Sequence, residues 1–126
     1  MWVSRSKAAP SARILRRNLK LRELALAIFV LDKPFTWTIR VYYEDTDTCG
    51  IVYYANYLKF FERARTEWLR SVGFEQQKMA DELGLRFVIA RVECDFKQPA
   101  RLDDVIDLDV RVARVGSASM VFEQTA

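Results

Sequence analysis

The sequence contains no histidine. That absence removes Ser-His-Asp and Cys-His triads, histidine-bound zinc and any imidazole acid or base. Chemistry here must come from carboxylates, hydroxyls, thiols, lysine or backbone dipoles. Cysteine is scarce as well: Cys49 and Cys94 are too few and too dispersed for a disulfide framework or a Cys-x-x-Cys metal site. A reducing compartment, the cytoplasm, is the default. Long apolar runs are lacking too. The longest, Leu24 to Leu31, is far short of the roughly 20 residues a membrane span needs. No small-x-small cleavage site follows it.

What is there is a chain of 126 residues, 51% hydrophobic and 29% charged, the composition of one globular domain. Its net charge of +3 is unevenly spread. Residues 1–31 hold Arg5, Lys7, Arg13, Arg16, Arg17, Lys20 and Arg22 against a single acid, Glu23, so the remainder is mildly acidic. That balance argues against a nucleic-acid partner. Residues 1–31 form a basic N-terminal extension that fits a transit peptide, a surface-lying helix or a poorly ordered segment. We expect it to be poorly ordered or a lone helix, and residues 32–126 to be the folded domain.

From Phe35 the chain alternates. Trp37, Ile39, Val41 and Tyr43 share one face of an expected strand, with Thr36, Thr38, Arg40 and Tyr42 on the other. The polar loop Glu44 to Gly50 follows, then Ile51 to Ala55 and Asn56, an expected N-cap. Tyr57, Phe61, Ala64, Trp68 and Val72 then keep helical spacing, and Gly73 ends the helix. A short second helix over 75–84 places Met79 and Leu83 one turn apart. Val88, Ala90, Val92, Cys94 and Phe96 read as the apolar face of another strand, broken by Pro99, with Cys94 in the core. Ile106, Leu108, Val110 and Val112 make the next, and Met120 and Phe122 begin a last one after a turn at Gly116-Ser117. Strand, long helix and then consecutive strands imply an α+β fold with an antiparallel sheet packed around the helix. The alternation is still running at Ala126, so we expect the natural protein to continue there.

The acidic loop precedes the long helix, whose N-terminus offers unpaired N–H groups and a positive dipole end suited to an oxyanion. Gly50 lets the backbone approach a ligand, and Asp47 can attack a carbonyl or activate water. A thioester suits such a site, because its thiolate leaves without a strong general acid. Asp47 to Gly50 fits an ordinary type I turn equally well. A calcium loop is excluded: its fifth position is Cys49, and its twelfth, which needs a bidentate Glu, is Asn56. Cys49 has no histidine to activate it, and Glu62 reads as a solvated helix residue.

The run from Tyr42 to Tyr57, with Phe61 to Glu67 and Pro99 to Asp104, resembles the hotdog-fold acyl-CoA thioesterases of the 4-hydroxybenzoyl-CoA thioesterase family. The nearest subgroup is the YbgC type, associated with the bacterial Tol-Pal system. The likeness runs over residues 34–126. It implies a five-stranded antiparallel sheet around the long helix, its last strand absent here, and a homodimer or homotetramer with sites at subunit interfaces. It places the catalytic carboxylate on Asp47 and the oxyanion N–H on Tyr54, with Gly50, Ile51, Val52 and Asn56 lining the substrate. Many YbgC-type proteins carry histidine where this chain has Tyr54, and the basic extension is foreign to the family. The resemblance implies an acyl-CoA substrate, an acyl carrier protein as a further partner, and no cofactor or metal. The rival expectation is a non-catalytic module that binds acyl-CoA or acyl carrier protein in a membrane-associated complex. A related dehydratase is excluded, since those depend on a catalytic histidine.

Overall fold

Phe35 to Arg40 extend as a strand, but the strand stops three residues before Tyr43. The computed structural model, which describes residues 2–5, 35–116 and 119–126, shows why. Asp45 Oδ2 accepts the Tyr42 N–H at 2.8 Å and curls Tyr43–Asp45 into a 3-10 turn, a local side-chain bond that outcompetes the ladder. Tyr43 therefore stands 82% exposed and does not share the buried face expected for it. Numbered in chain order, β1 is Trp2–Arg5 and β2 is Phe35–Arg40.

The long helix, α1, is Asn56–Ser71. Ala55 occupies the N-cap, so Asn56 is the first helical residue rather than the cap. Its side chain turns inward and donates from Nδ2 to the Asp45 carbonyl at 3.0 Å. The buried stripe of α1 is Phe60, Ala64, Trp68 and Leu69, flanked by the partly buried Tyr57 and Phe61. The stripe thus lies one position from the one expected at its first turns. Gly73, at φ +88°, ends the helix as its place implied, with the Phe74 N–H returning to the Leu69 carbonyl at 2.9 Å. Helix α2, Gln76–Leu83, buries Met79 and Leu83 and stops at Gly84 in the left-handed region.

Strand β4, Val105–Val115, is the sheet's centre, antiparallel to β2 on one side and to β5, Met120–Thr125, on the other. Trp37 faces Leu108 across the first pair, and Val112 faces Phe122 across the second. Ile106, Leu108 and Val110 point into the core, where α1 packs on β4 and β2. Burying a leucine such as Leu108 fully contributes about 1.5–3 kcal/mol. Trp68 meets Phe122 edge-on, ring centroids 5.3 Å apart. Arg65 Nη1 donates to Gln124 Oε1 at 2.7 Å, and Gln124 Nε2 to the Phe61 carbonyl at 3.0 Å, pinning α1 to β5. Burial lowers the pKa of the Arg65 guanidinium, against an opposing effect of Glu62.

One expected strand is largely absent. β3 covers only Leu85–Val88 and pairs with β1, apart from the main sheet. Residues 89–97 form no ladder among the described residues, and Ile89, Val92 and Phe96 are about half exposed. Cys94, expected in the core, is exposed as well. Alternation makes a strand only where a partner backbone supplies hydrogen bonds, and the main sheet offers none here. Within the basic extension Trp2–Arg5 are strand; the remaining expectation for it lies outside the described residues.

Candidate active site

The loop folds as a narrow antiparallel ribbon. Thr46 bridges Val52, the Asp47 N–H donates to the Ile51 carbonyl at 2.9 Å, and the Tyr53 N–H donates to the Asp45 carbonyl at 2.9 Å. At its tip the Gly50 N–H donates to the Asp47 carbonyl at 3.0 Å, the hydrogen bond of a tight turn. Asp47 Oδ1 accepts the Cys49 N–H at 2.8 Å. The turn written in Asp47 to Gly50 is therefore real, and it leaves the carboxylate exposed with, among the described residues, only one oxygen so held. Gly50 sits at φ +71° with open space on its side-chain side, so the tip is accessible.

A second segment braces the ribbon from below. The Val52 N–H donates to the Ala100 carbonyl at 2.8 Å, and Ile51 bridges Arg101. The bracing turn is itself fixed: Asp104 Oδ2 accepts the Arg101 N–H at 2.7 Å, and Asp103 takes φ +70°. Val41 and residues 103–104 exchange backbone bonds, joining this turn to the end of β2.

Beyond the ribbon the chain enters α1. The first turn closes through Asn56 N–H to the Tyr53 carbonyl and Tyr57 N–H to the Tyr54 carbonyl. The N–H groups of Tyr54 and Ala55 receive no acceptor from the described residues. They are the unpaired donors that a helix start supplies. The Tyr54 ring lies 4.8 Å from Tyr53 and 5.9 Å from Phe96, which also reaches Tyr57 at 5.9 Å. Tyr53 has its phenol pKa raised, first by its hydrogen bond with Tyr54 and the charge on that group, then by desolvation and the Asp47 carboxylate.

The expected site residues thus separate into two sets. Asp47, Gly50, Ile51 and Tyr54 gather at the ribbon and the helix start. Val52 is buried with its amide engaged, and the buried Asn56 is held by Asp45, so both support the loop from within. The sequence suggested Asp45 only as a calcium-loop position and not in its structural role: its carboxylate sets the entry turn and its carbonyl receives both Tyr53 and Asn56. The only signal for it was an acid three residues beyond Tyr42. The described cavities lie elsewhere, the larger being about 210 Å³ beside Gln76, Arg86 and Phe87. Among the described residues no acidic or thiol cluster could hold a metal, and no helix is long and apolar enough to cross a membrane.

A helix laid on an antiparallel sheet, with an acidic loop at its start, is the hotdog arrangement of thioester hydrolases. The chain belongs to the thioesterase superfamily, whose family pattern matches residues 50–126 and begins just past Asp47. It is similar to the YbgC-type members. It is 47% identical over 95 residues to the acyl-CoA thioesterase YbgC of Haemophilus influenzae, covering 75% of this chain and 70% of that protein. To the acyl-CoA thioester hydrolase YbgC of Escherichia coli O157:H7 it is 44% identical over 90 residues, covering 71% and 66%. The crystal structure of a probable thioesterase from Bartonella henselae superposes with a TM-score of 0.71 at 38% identity, covering 73% of this chain and 77% of that one. The chain therefore spans about two thirds of the length of these curated relatives.

Proposed function

We propose that this protein hydrolyses acyl-CoA thioesters to a free acid and coenzyme A. The observation that carries the reading is the Tyr54 N–H, unpaired among the described residues, at the start of α1, on the chain leaving the ribbon that displays the Asp47 carboxylate. Fixed donors aimed at developing negative charge lower the barrier to acyl transfer. In this reading the thioester carbonyl oxygen is received by the Tyr54 N–H, with Gly50 and Ile51 beside the acyl group. Asp47 either attacks the carbonyl carbon, giving a mixed anhydride that water then opens, or takes a proton from the attacking water. In both routes the C–S bond breaks and the thiolate leaves with its electron pair.

The open site and the exposed apolar side chains of residues 89–97 favour a homodimer or homotetramer in which a second copy walls the site. The exposed free thiols Cys49 and Cys94 suit the cytoplasm. An acyl carrier protein presents the same thioester as coenzyme A and remains a partner of the reading. One observation favours the non-catalytic acyl-CoA-binding module: Asp47 already has a structural task in capping Cys49.

The deciding experiment compares thiol release by this chain and by Asp47→Asn over acetyl-, hexanoyl-, palmitoyl- and benzoyl-CoA. Asparagine keeps the oxygen that caps Cys49, so the fold is retained. A fall of about 10²–10⁴ supports the enzyme. Acyl-CoA binding with no turnover by either protein supports the module.

A further inference from the structure

Phe96 belongs to the segment 89–97 that joins no ladder among the described residues, yet its ring has a definite place. It meets Tyr54 edge-on, with ring centroids 5.9 Å apart, and Tyr57 at the same 5.9 Å with the rings tilted. Tyr54 and Tyr57 are three residues apart, and the bond from the Tyr57 N–H to the Tyr54 carbonyl closes a turn between them. Residues so spaced share one face of a helix start. Tyr57 in turn meets the buried Phe60, so the cluster is rooted in the core. Its outer part is open, with Tyr54 59% and Phe96 55% exposed. A few residues further on, the Ala100 carbonyl holds the Val52 N–H and Arg101 bridges Ile51. The stretch from Phe96 to Arg101 thus runs from the start of α1 to the underside of the ribbon that carries Asp47.

We propose that Phe96 is a specificity-determining residue for this reaction, its ring forming with Tyr54 and Tyr57 the wall on which the acyl group of the thioester lies. The inference rests on the thioesterase reading and names the side chain that selects the acyl group. Tyr54 joins the two: its amide is the donor that receives the carbonyl oxygen, and its ring is part of the wall. A carbonyl oxygen held about 3 Å from that nitrogen brings the acyl carbons beside the Tyr54 ring, because amide and ring hang from one Cα. An acetyl group ends there. A longer acyl group continues onto the neighbouring ring, Phe96, and takes apolar surface of both partners out of water. Phe96 selects by contact alone, and no bond to it forms or breaks.

The test is steady-state hydrolysis by the full chain, comparing kcat/KM for hexanoyl-CoA with that for acetyl-CoA in the parent, Phe96→Ala and Phe96→Leu. We expect the parent to prefer hexanoyl-CoA, and Phe96→Ala to lose about tenfold of that preference, as a missing apolar contact in a binding site does. Phe96→Leu keeps an apolar side chain there and is expected to retain most of it. Tyr43→Leu, altered at an exposed ring outside the cluster, is expected to keep the parent's ratio. Rates for both substrates that fall together in Phe96→Ala give Phe96 a purely structural role and overturn the proposal. So does an unchanged ratio, or a parent that does not prefer hexanoyl-CoA. A ratio restored in Phe96→Ala by raising the protein concentration shows that the ring holds a second copy and not the acyl group, which overturns it too. A parent that releases no thiol from any acyl-CoA instead overturns the thioesterase reading, and this role for Phe96 falls with it.

Discussion

Asp45 and Asp47 are two residues apart and have opposite fates. Asp45 is 7% exposed, with its carboxylate turned back onto the Tyr42 N–H; Asp47 faces solvent. Asp45→Ala strands that amide in a part-buried place, and we expect a loss of about 1–3 kcal/mol in chemical denaturation. Asn56→Ala removes one of two donors to the Asp45 carbonyl and leaves the Tyr53 N–H in place, so about 1 kcal/mol is expected by the same measurement. At Gly50 a side chain meets open space, so only the left-handed backbone resists substitution. Gly50→Ala is therefore expected to cost about 1 kcal/mol in thermal unfolding rather than to prevent folding. These assignments were half legible. The loop's tight turn and the helix start could be read from Asp47, Gly50 and the residues after them. The division of labour between the two aspartates could not, because it depends on which backbone amides the turn presents.

At the scale of elements, periodicity located α1, α2, β4 and β5 because each buries one face against something nearby. Asn56 was placed at the right boundary in the wrong role, since its side chain had a better acceptor in Asp45 than the helix's own amides. The expected strand from Val88 to Phe96 failed for another reason. An alternating pattern describes a surface, and a strand also needs a neighbour whose identity no local window contains. The packing of α1 on the sheet permits a sharper test. Ala64 is fully buried on the helix stripe, so Ala64→Leu must displace its surroundings. We expect a loss of about 1–3 kcal/mol and a lower thermal midpoint.

For the whole molecule the main question is what covers residues 89–97. Their side chains alternate between apolar positions and Arg91, Glu93, Asp95 and Lys97, with Arg91 and Glu93 forming an ion pair on one side. If a second copy seats here, sedimentation velocity is expected to show a dimer or larger species. Val92→Lys then moves it toward monomer, because a desolvated unpaired ammonium opposes the contact. A parent that sediments as a monomer at every concentration removes the oligomeric part of the reading.

The bracing of the loop by Ala100 and Arg101 has a consequence in time as well as in space. The bond from the Val52 amide to the Ala100 carbonyl joins stretches of chain that are distant in sequence, separated by both helices and β3. Contacts of that kind form late, since the intervening chain must first surrender its freedom. During synthesis the tip around Asp47 can close its own small turn as soon as it is made, while its foundation waits for the segment through Asp104. Competence for chemistry should therefore appear only at the end of folding, and the Val52 amide should exchange its proton with solvent as slowly as the core does.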